Sequence, residues 1–250
     1  MRRARAAALA LGFGALVFGA AWIGAHRGTD LDFTDIDGLP GWRALSGASS
    51  GSSGAGGAVM LGLGDAPAAA APASLCALVW ESGAPAEGPP DARPRIAVFS
   101  DANCPYCRTL DGILEDLTEA RPDLRIVHHE WPVLGPGSAI AARAAVAAER
   151  QGRFRALKSR LLDASFAINP AYIDAVAPPL GIDAARLAED MAASETTRIL
   201  AATARAASRF GFVGTPSLVI GGAVAEGAVS RARIEAILDA EAARTDRPCG

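Results

Sequence analysis

Histidine, cysteine and lysine are all scarce in this 250-residue chain, and each scarcity narrows the chemistry open to it. The histidines are His26, His128 and His129 alone. That leaves little for a histidine-rich metal site or for the base of a serine hydrolase. There is no nucleophile elbow, the strand-to-helix turn that presents a reactive serine. The glycine patterns that cradle dinucleotides and nucleoside phosphates, G-x-G-x-x-G and the P-loop, are missing. Positive charge is not in excess: the formal net charge is −3, so nothing points to a nucleic acid partner. Lys158 is the only lysine, the other basic residues being arginine, and the sequence attaches no function to that bias. No internal repeat is present. Half the residues are hydrophobic, enough for a sizeable core in one large domain or one and a half.

Two of the four cysteines stand together in Cys104-Pro105-Tyr106-Cys107. Before them, residues 95–100 are a short run rich in β-branched and aromatic residues, which reads as a buried strand. After them, Leu110, Ile113, Leu114 and Leu117 recur with the period of an amphipathic helix, which Arg121-Pro122 stops. The pair therefore sits where a strand turns into a helix. Pro105 suits the first helical position, where a missing N–H costs nothing. Cys104 falls at the N-cap, facing unpaired N–H groups and the positive end of the helix dipole. A thiolate is stabilised there, and its pKa is expected well below the free-thiol reference of about 8.5. Cys107 lies on the same helix face and can reach Cys104. Such a pair can cycle between dithiol and disulfide. Two other readings compete with this one. A zinc site wants four ligands, and Cys76, Cys249 and the histidines offer no second close pair, so no metal is expected. A purely structural disulfide fits the strand–Cys–helix setting less well than redox chemistry does.

The stretch Phe99-Ser-Asp-Ala-Asn-Cys-Pro-Tyr-Cys107 resembles the active site of DsbA-like thiol-disulfide oxidoreductases of the thioredoxin superfamily. A second stretch, Phe210-Gly-Phe-Val-Gly-Thr-Pro-Ser-Leu-Val-Ile220, is similar to that family's cis-proline loop and the strand after it. The resemblance covers residues 93–240. It implies an α/β class and a thioredoxin fold with a helical insertion domain. It implies Cys104 as an exposed nucleophile, Cys107 as the resolving cysteine, Pro105 and Tyr106 as the loop between them, and no cofactor. It also implies a cis bond at Thr215-Pro216, which lies against the cysteine pair and offers backbone groups to an extended substrate. The chain departs from the family in two places. Thioredoxin and DsbA carry an acidic residue six positions before the first active-site cysteine; in this chain that position is Val98. The nearest acid is Asp101, read as a turn or cap residue. The dipeptide Pro-Tyr replaces the Pro-His of the best-known oxidase, so Tyr106 adds no positive charge beside the thiolate.

The flanks suggest export. Residues 1–27 combine Arg2, Arg3 and Arg5 with an uncharged run of 20 residues from Ala6 to Ala25. This is a signal peptide or an N-terminal membrane anchor, and either sends the rest of the chain across the membrane. Residues 28–92 read as a flexible, Gly/Ser/Pro-rich arm, with residues 46–57 as a linker. Residues 93–137 form the first part of the thioredoxin fold, 138–210 the helical insertion, and 211–250 the second part with the C-terminal tail. Within the insertion, Ser138 is expected to cap a helix. Residues 124–131 read as a strand parallel to the first, with His128 and His129 on opposite faces. Either histidine reads more readily as an ordinary sheet residue than as an active-site group. Four cysteines beyond an export segment is an even count, so Cys76 and Cys249 are expected to form a structural disulfide.

The sequence therefore leads to a periplasmic thiol-disulfide oxidoreductase, acting as an oxidase on unfolded or reduced secreted proteins. It would be a monomer, with a membrane redox partner and a possible N-terminal membrane tether. A reductase or isomerase, or a thioredoxin-fold binding module without turnover, are the alternatives.

Overall fold

The computed structural model describes residues 31–46, 74–93 and 95–249. The expected targeting segment at 1–27, and the linker apart from Ser46, lie outside the described residues. In chain order the strands and helices are β1 (Phe33–Asp35), β2 (Arg43–Leu45), α1 (Leu75–Trp80), β3 (Ala86–Glu87), β4 (Arg95–Ser100), α2 (Pro105–Ala120) and β5 (Arg125–Glu130). Then come α3 (Pro136–Ala148), α4 (Phe154–Leu162), α5 (Pro170–Val176), α6 (Ala184–Ala192), α7 (Ser194–Phe210), β6 (Ser217–Ile220), β7 (Ala223–Glu226) and α8 (Arg231–Ala242).

The strands make one mixed sheet in the order β1-β2-β7-β6-β4-β5-β3. Strands β4 and β5 run parallel across the α2 crossover, with Val98 opposite His128 and Ser100 opposite Glu130. Strand β6 is antiparallel to β4 and turns at Gly221 into β7. Side chains alternate across the sheet, so each strand feeds two cores. Ala97, Phe99, Val127 and Val219 face α1 and α7, against Leu78, Val79, Ala206 and Phe210. Ile96, Val98, Ile126 and Leu218 face α2 and α8, against Leu110, Leu114, Leu117 and Ile237. Helices α3 to α6 form the insertion around a core of their own, in which the alanines of α3 meet Phe154, Leu157, Ile173 and Leu187. The fold is an α/β thioredoxin fold with a helical insertion.

The N-terminal arm departs from expectation. Residues 31–46 and 74–93 are built into the sheet and its cover rather than forming a flexible arm. Strands β1 and β2 form a hairpin around Gly38 and Gly41, both at positive φ, and β2 adds in parallel to β7. Leu39 and Trp42 are buried in the α1/α7 core, and Arg43 pairs with the buried Glu241 at 2.7 Å. Helix α1 is capped by Ser74 and buries Leu75, Leu78, Val79 and Trp80. The turn-rich composition masked isolated apolar residues that a large sheet face can absorb. A smaller correction concerns Ser138. Helix α3 starts two residues earlier, at Pro136, and Ser138 is buried and bonds Asp101 instead of capping.

Candidate active site

Strand β4 ends at Ser100 and α2 begins at Pro105, so the loop between them places Cys104 at the helix N-cap. Its sulfur accepts from the Cys107 N–H at 3.2 Å, as an oxygen cap would. Proline at the first helical position gives up a donor that would have no partner there. Cys104 and Cys107 stand as thiols. The Cys104 Sγ–H donates to the Thr215 carbonyl at 3.4 Å, and the Thr215-Pro216 bond is cis. The loop before β6 thus closes over the cysteine pair from the other side. Burial, reinforced by Cys104, pushes the Cys107 thiol far up, so it holds its proton.

The sequence led to an exposed Cys104; in the structure it is only 2% exposed. The difference comes from the insertion. Leu162, at the end of α4, packs against both cysteines, with Leu134 beside them. Arg108, the residue after Cys107, donates its Nε to the Leu162 carbonyl and an Nη to Ala164 O, locking α2 to that helix end. Three large apolar side chains do stay exposed among the described residues: Tyr106, Phe166 and Val213. Tyr106 belongs to the cysteine loop, Val213 to the loop leading to Pro216, and Phe166 to the segment after α4.

Asp101 is more than the expected turn residue. Its carboxylate accepts from Asn103 N, Val133 N, Leu134 N and the Ser138 hydroxyl, at 2.6–3.0 Å. It therefore ties the cysteine loop to the loop after β5 and to α3. Burial raises its pKa against the lowering effect of those four donors.

Behind the cysteines lies a group that sequence reasoning missed. Lys158 Nζ is buried and donates to Glu130 Oε1 at 2.5 Å and to Ser100 Oγ at 2.7 Å. Burial works against its charge, but Glu130 and Asp111 outweigh burial and hold the pKa above the ordinary lysine value. A buried acid thus stands on the strand beside Val98's own, and its cation comes from the insertion. A signal was present: Lys158 lies four residues from both Phe154 and Leu162 on the apolar stripe of α4. The two histidines divide as expected. His129 is buried between α1 and α7, stacked on Phe99, its Nε2 on the Val79 carbonyl and its Nδ1 on Thr203. His128 faces the other way and pairs with Glu87.

Cys76 and Cys249 are joined, S–S 2.02 Å, linking α1 to the C-terminal tail. Among the described residues no three His, Cys, Asp or Glu side chains are grouped to hold a metal ion. Nor is any helix among them long and apolar enough to cross a membrane.

Comparison with known proteins agrees with this geometry. Residues 95–239 match the model of the DSBA-like thioredoxin domain. The chain belongs to this family. A thioredoxin-like oxidoreductase from Silicibacter pomeroyi DSS-3 is 36% identical, covering 67% of this chain and 98% of that one, with a TM-score of 0.63. The catalytic domain of Proteus mirabilis ScsC is 26% identical, covering 67% and 94%, with a TM-score of 0.60. Among curated proteins, a Na(+)/H(+) antiporter NhaA 3 of Salinispora tropica is 28% identical over 137 residues, 54% of this chain. The chain spans only 21% of that antiporter's length. The family's segment therefore contains both the Cys104/Cys107 loop and the Thr215-Pro216 loop.

Proposed function

We propose that this DSBA-like protein donates disulfides to exported proteins, with Cys104 as the nucleophilic sulfur and Cys107 as its partner. The observation that carries the reading is the placement of Cys104 Sγ between the Cys107 N–H and the Thr215 carbonyl. Helix-end donors stabilise a thiolate at Cys104, which stabilises the reduced pair and makes its disulfide the better oxidant. In the oxidised enzyme, a client thiolate attacks Cys104 Sγ. The Cys104–Cys107 bond breaks and Cys107 leaves with the electron pair, then takes a proton. A second client thiolate attacks the client sulfur of the mixed disulfide. The client gains its disulfide and Cys104 departs as the thiolate. The enzyme is left as the dithiol, two electrons richer, and a membrane redox partner reoxidises it.

Thr215 and Pro216 are proposed to hold the client. An extended segment pairs with backbone groups of the loop, while Tyr106, Phe166 and Val213 supply apolar contact around the sulfur. Such a surface suits unfolded, reduced chains. Export rests on the basic N-terminal segment with its apolar run, and on Cys76–Cys249, a bond characteristic of oxidising compartments. Residues 1–27 then serve as signal or tether, and the enzyme acts as a monomer without cofactor. The reductase or isomerase reading draws on Tyr106, which adds no positive charge between the cysteines.

Trapping tests the assignment. Cys107→Ser is expected to accumulate client proteins disulfide-linked to Cys104, seen as reducible high-mass bands. Cys104→Ser is expected to abolish both adducts and insulin reduction. Equal trapping by both variants would contradict this division of roles between the two cysteines. A parent protein that binds clients without turnover would favour the binding-module reading.

A further inference from the structure

The buried charges behind the cysteines continue to the surface through two residues that the exchange chemistry does not use. Lys158 and Leu162 are one helical turn apart on one face of α4; Leu162 packs on the cysteines and Lys158 holds Glu130. On β5, Glu130 and His128 are two residues apart and share a face, a span of roughly 7 Å. Phe154 sits beside both: its ring centre is 5.1 Å from that of His128 and 5.7 Å from Lys158 Nζ. His128 is 0% exposed, and its Nε2 stands 2.6 Å from Glu87 Oε1. A carboxylate only accepts, so Nε2 carries the ring proton. Nδ1 is then a bare, buried acceptor with no hydrogen-bond partner. Glu87 lies on β3, the edge strand of the sheet, and its side chain is 30% exposed.

We propose that His128 and Glu87 form a proton path between solvent and the buried Glu130–Lys158 pair, through which Cys107 loses and regains its proton. The proposal rests on Cys104/Cys107 being the exchanging pair. When the disulfide closes, the Cys107 thiol passes its proton to the pair, and the thiolate attacks the Cys104 sulfur of a mixed disulfide. The new S–S bond forms, the old one breaks, and the departing thiolate takes a proton from solvent. The pair passes its proton to His128 Nδ1, with the lysine arm or a water as the proposed carrier. Nε2 gives its proton to Glu87, which releases it. The ring is left as the Nδ1–H tautomer. That tautomer is the one required for the reverse journey, when the disulfide opens and the Cys107 thiolate must be protonated. Opening and closing alternate, so the ring is reset each cycle without rotating. The dithiol structure shows the tautomer poised for the outward step.

The surrounding charges fit a conduit. His128 is faced by Glu87 of β3, Glu130 of β5 and Lys158 of α4; Arg155 of α4 and Glu149 act on or feel Glu87, and Asp111 of α2 holds Arg155. Burial keeps the His128 pKa below the ordinary value, with Glu87 opposing, so the ring is neutral at rest. Charge buried on this scale is weak as a source of stability, since well-packed apolar residues often do as well.

Glu87→Gln and His128→Gln in the full-length protein test the path. The oxidised protein is mixed with a reduced dithiol peptide, and the rate is followed between pH 6 and 8 in H2O and D2O. Each variant is expected to slow exchange roughly tenfold, below the hundredfold or more of direct general acid–base catalysis. The solvent isotope effect should rise, and the double variant should be no slower than either single one, because both break one path. The equilibrium with glutathione should stay within about twofold of the parent, since the path changes the rate of proton movement and not its end points. Glu87→Gln keeps an acceptor for the ring N–H at a part-exposed site, so it carries the test if His128→Gln does not fold. Parent-like rates, pH profile and isotope effect in Glu87→Gln, with or without a lower melting temperature, would overturn the proposal. A parent that exchanges no disulfide with the peptide would instead overturn the enzymatic reading beneath it.

Discussion

His129 shows what burial does to a single ionisable residue. Its Nε2–H donates to the Val79 carbonyl, and in the neutral ring its Nδ1 accepts from the Thr203 hydroxyl. Burial lowers its pKa from 6.5 to about 4. The unfolded chain binds a proton below pH 6.5 and the folded chain does not until about pH 4. This stabilisation is therefore complete above pH 6.5 and is lost as pH falls toward 4. His128 is lowered in the same sense. Urea unfolding is expected to show stability falling by roughly 2–3 kcal/mol between pH 7 and pH 4.5. His129→Gln should flatten that slope, and an unchanged slope in this variant would contradict the assignment. The carboxylates with shifted pKa values start from 4.5 (Glu87, Glu149, Glu195) or 3.8 (Asp101, Asp246), so the upper part of the window reports on histidine.

At the scale of elements, the cysteine loop is held to its neighbours by one buried carboxylate. Asp101 gathers four donors from the loop, the segment after β5 and α3. Asp101→Ala would leave those buried donors without an acceptor, at roughly 1–3 kcal/mol for each one that water does not reach. A loss of more than about 3 kcal/mol in denaturant unfolding is expected, with partial recovery in Asp101→Asn, which keeps acceptor oxygen. A cost under about 1 kcal/mol would show the loop to be held otherwise. Leu162→Ala should cost about 2–5 kcal/mol and raise the alkylation rate of Cys104, because it removes the cover over both sulfurs. An alkylation rate unchanged from the parent would contradict that cover. These elements were legible to different degrees. The strand–Cys–helix unit, the parallel β4/β5 pair and the β6/β7 hairpin follow from local pattern and turn residues. The burial of Cys104 and the Asp101 staple do not, because each depends on where the insertion lands on α2. Lys158 was visible as a lone lysine on an apolar stripe, but its partner Glu130 is 28 residues away and nothing local joins them.

For the whole molecule, the Cys76–Cys249 bond ties the N-terminal arm to the C-terminal tail across a separation of 173 residues. Around it, Arg95 stacks on the Trp80 ring at 4.2 Å and donates to the Cys249 carbonyl at 3.1 Å. The chain-entropy account puts closure of such a loop at about 5 kcal/mol, with real bonds delivering less. Replacing both cysteines by serine is expected to lower stability by about 2–5 kcal/mol while Cys104 and Cys107 still exchange. Chemical unfolding and an insulin-reduction assay on the same variant read the two effects separately, and loss of exchange in a folded variant would refute the division. The arm itself was not legible, because its Gly- and Pro-rich composition hides the few residues, Leu39, Trp42 and Trp80, that a large sheet buries. The insertion covers the cysteine pair, which we propose gives its disulfide away. Equilibration of the Cys104/Cys107 pair with glutathione tests that claim most directly. A potential at or above roughly −180 mV, the range of disulfide-donating enzymes, is the predicted result. A value at or below roughly −270 mV, where thioredoxin lies, would contradict it and make the protein a reductase.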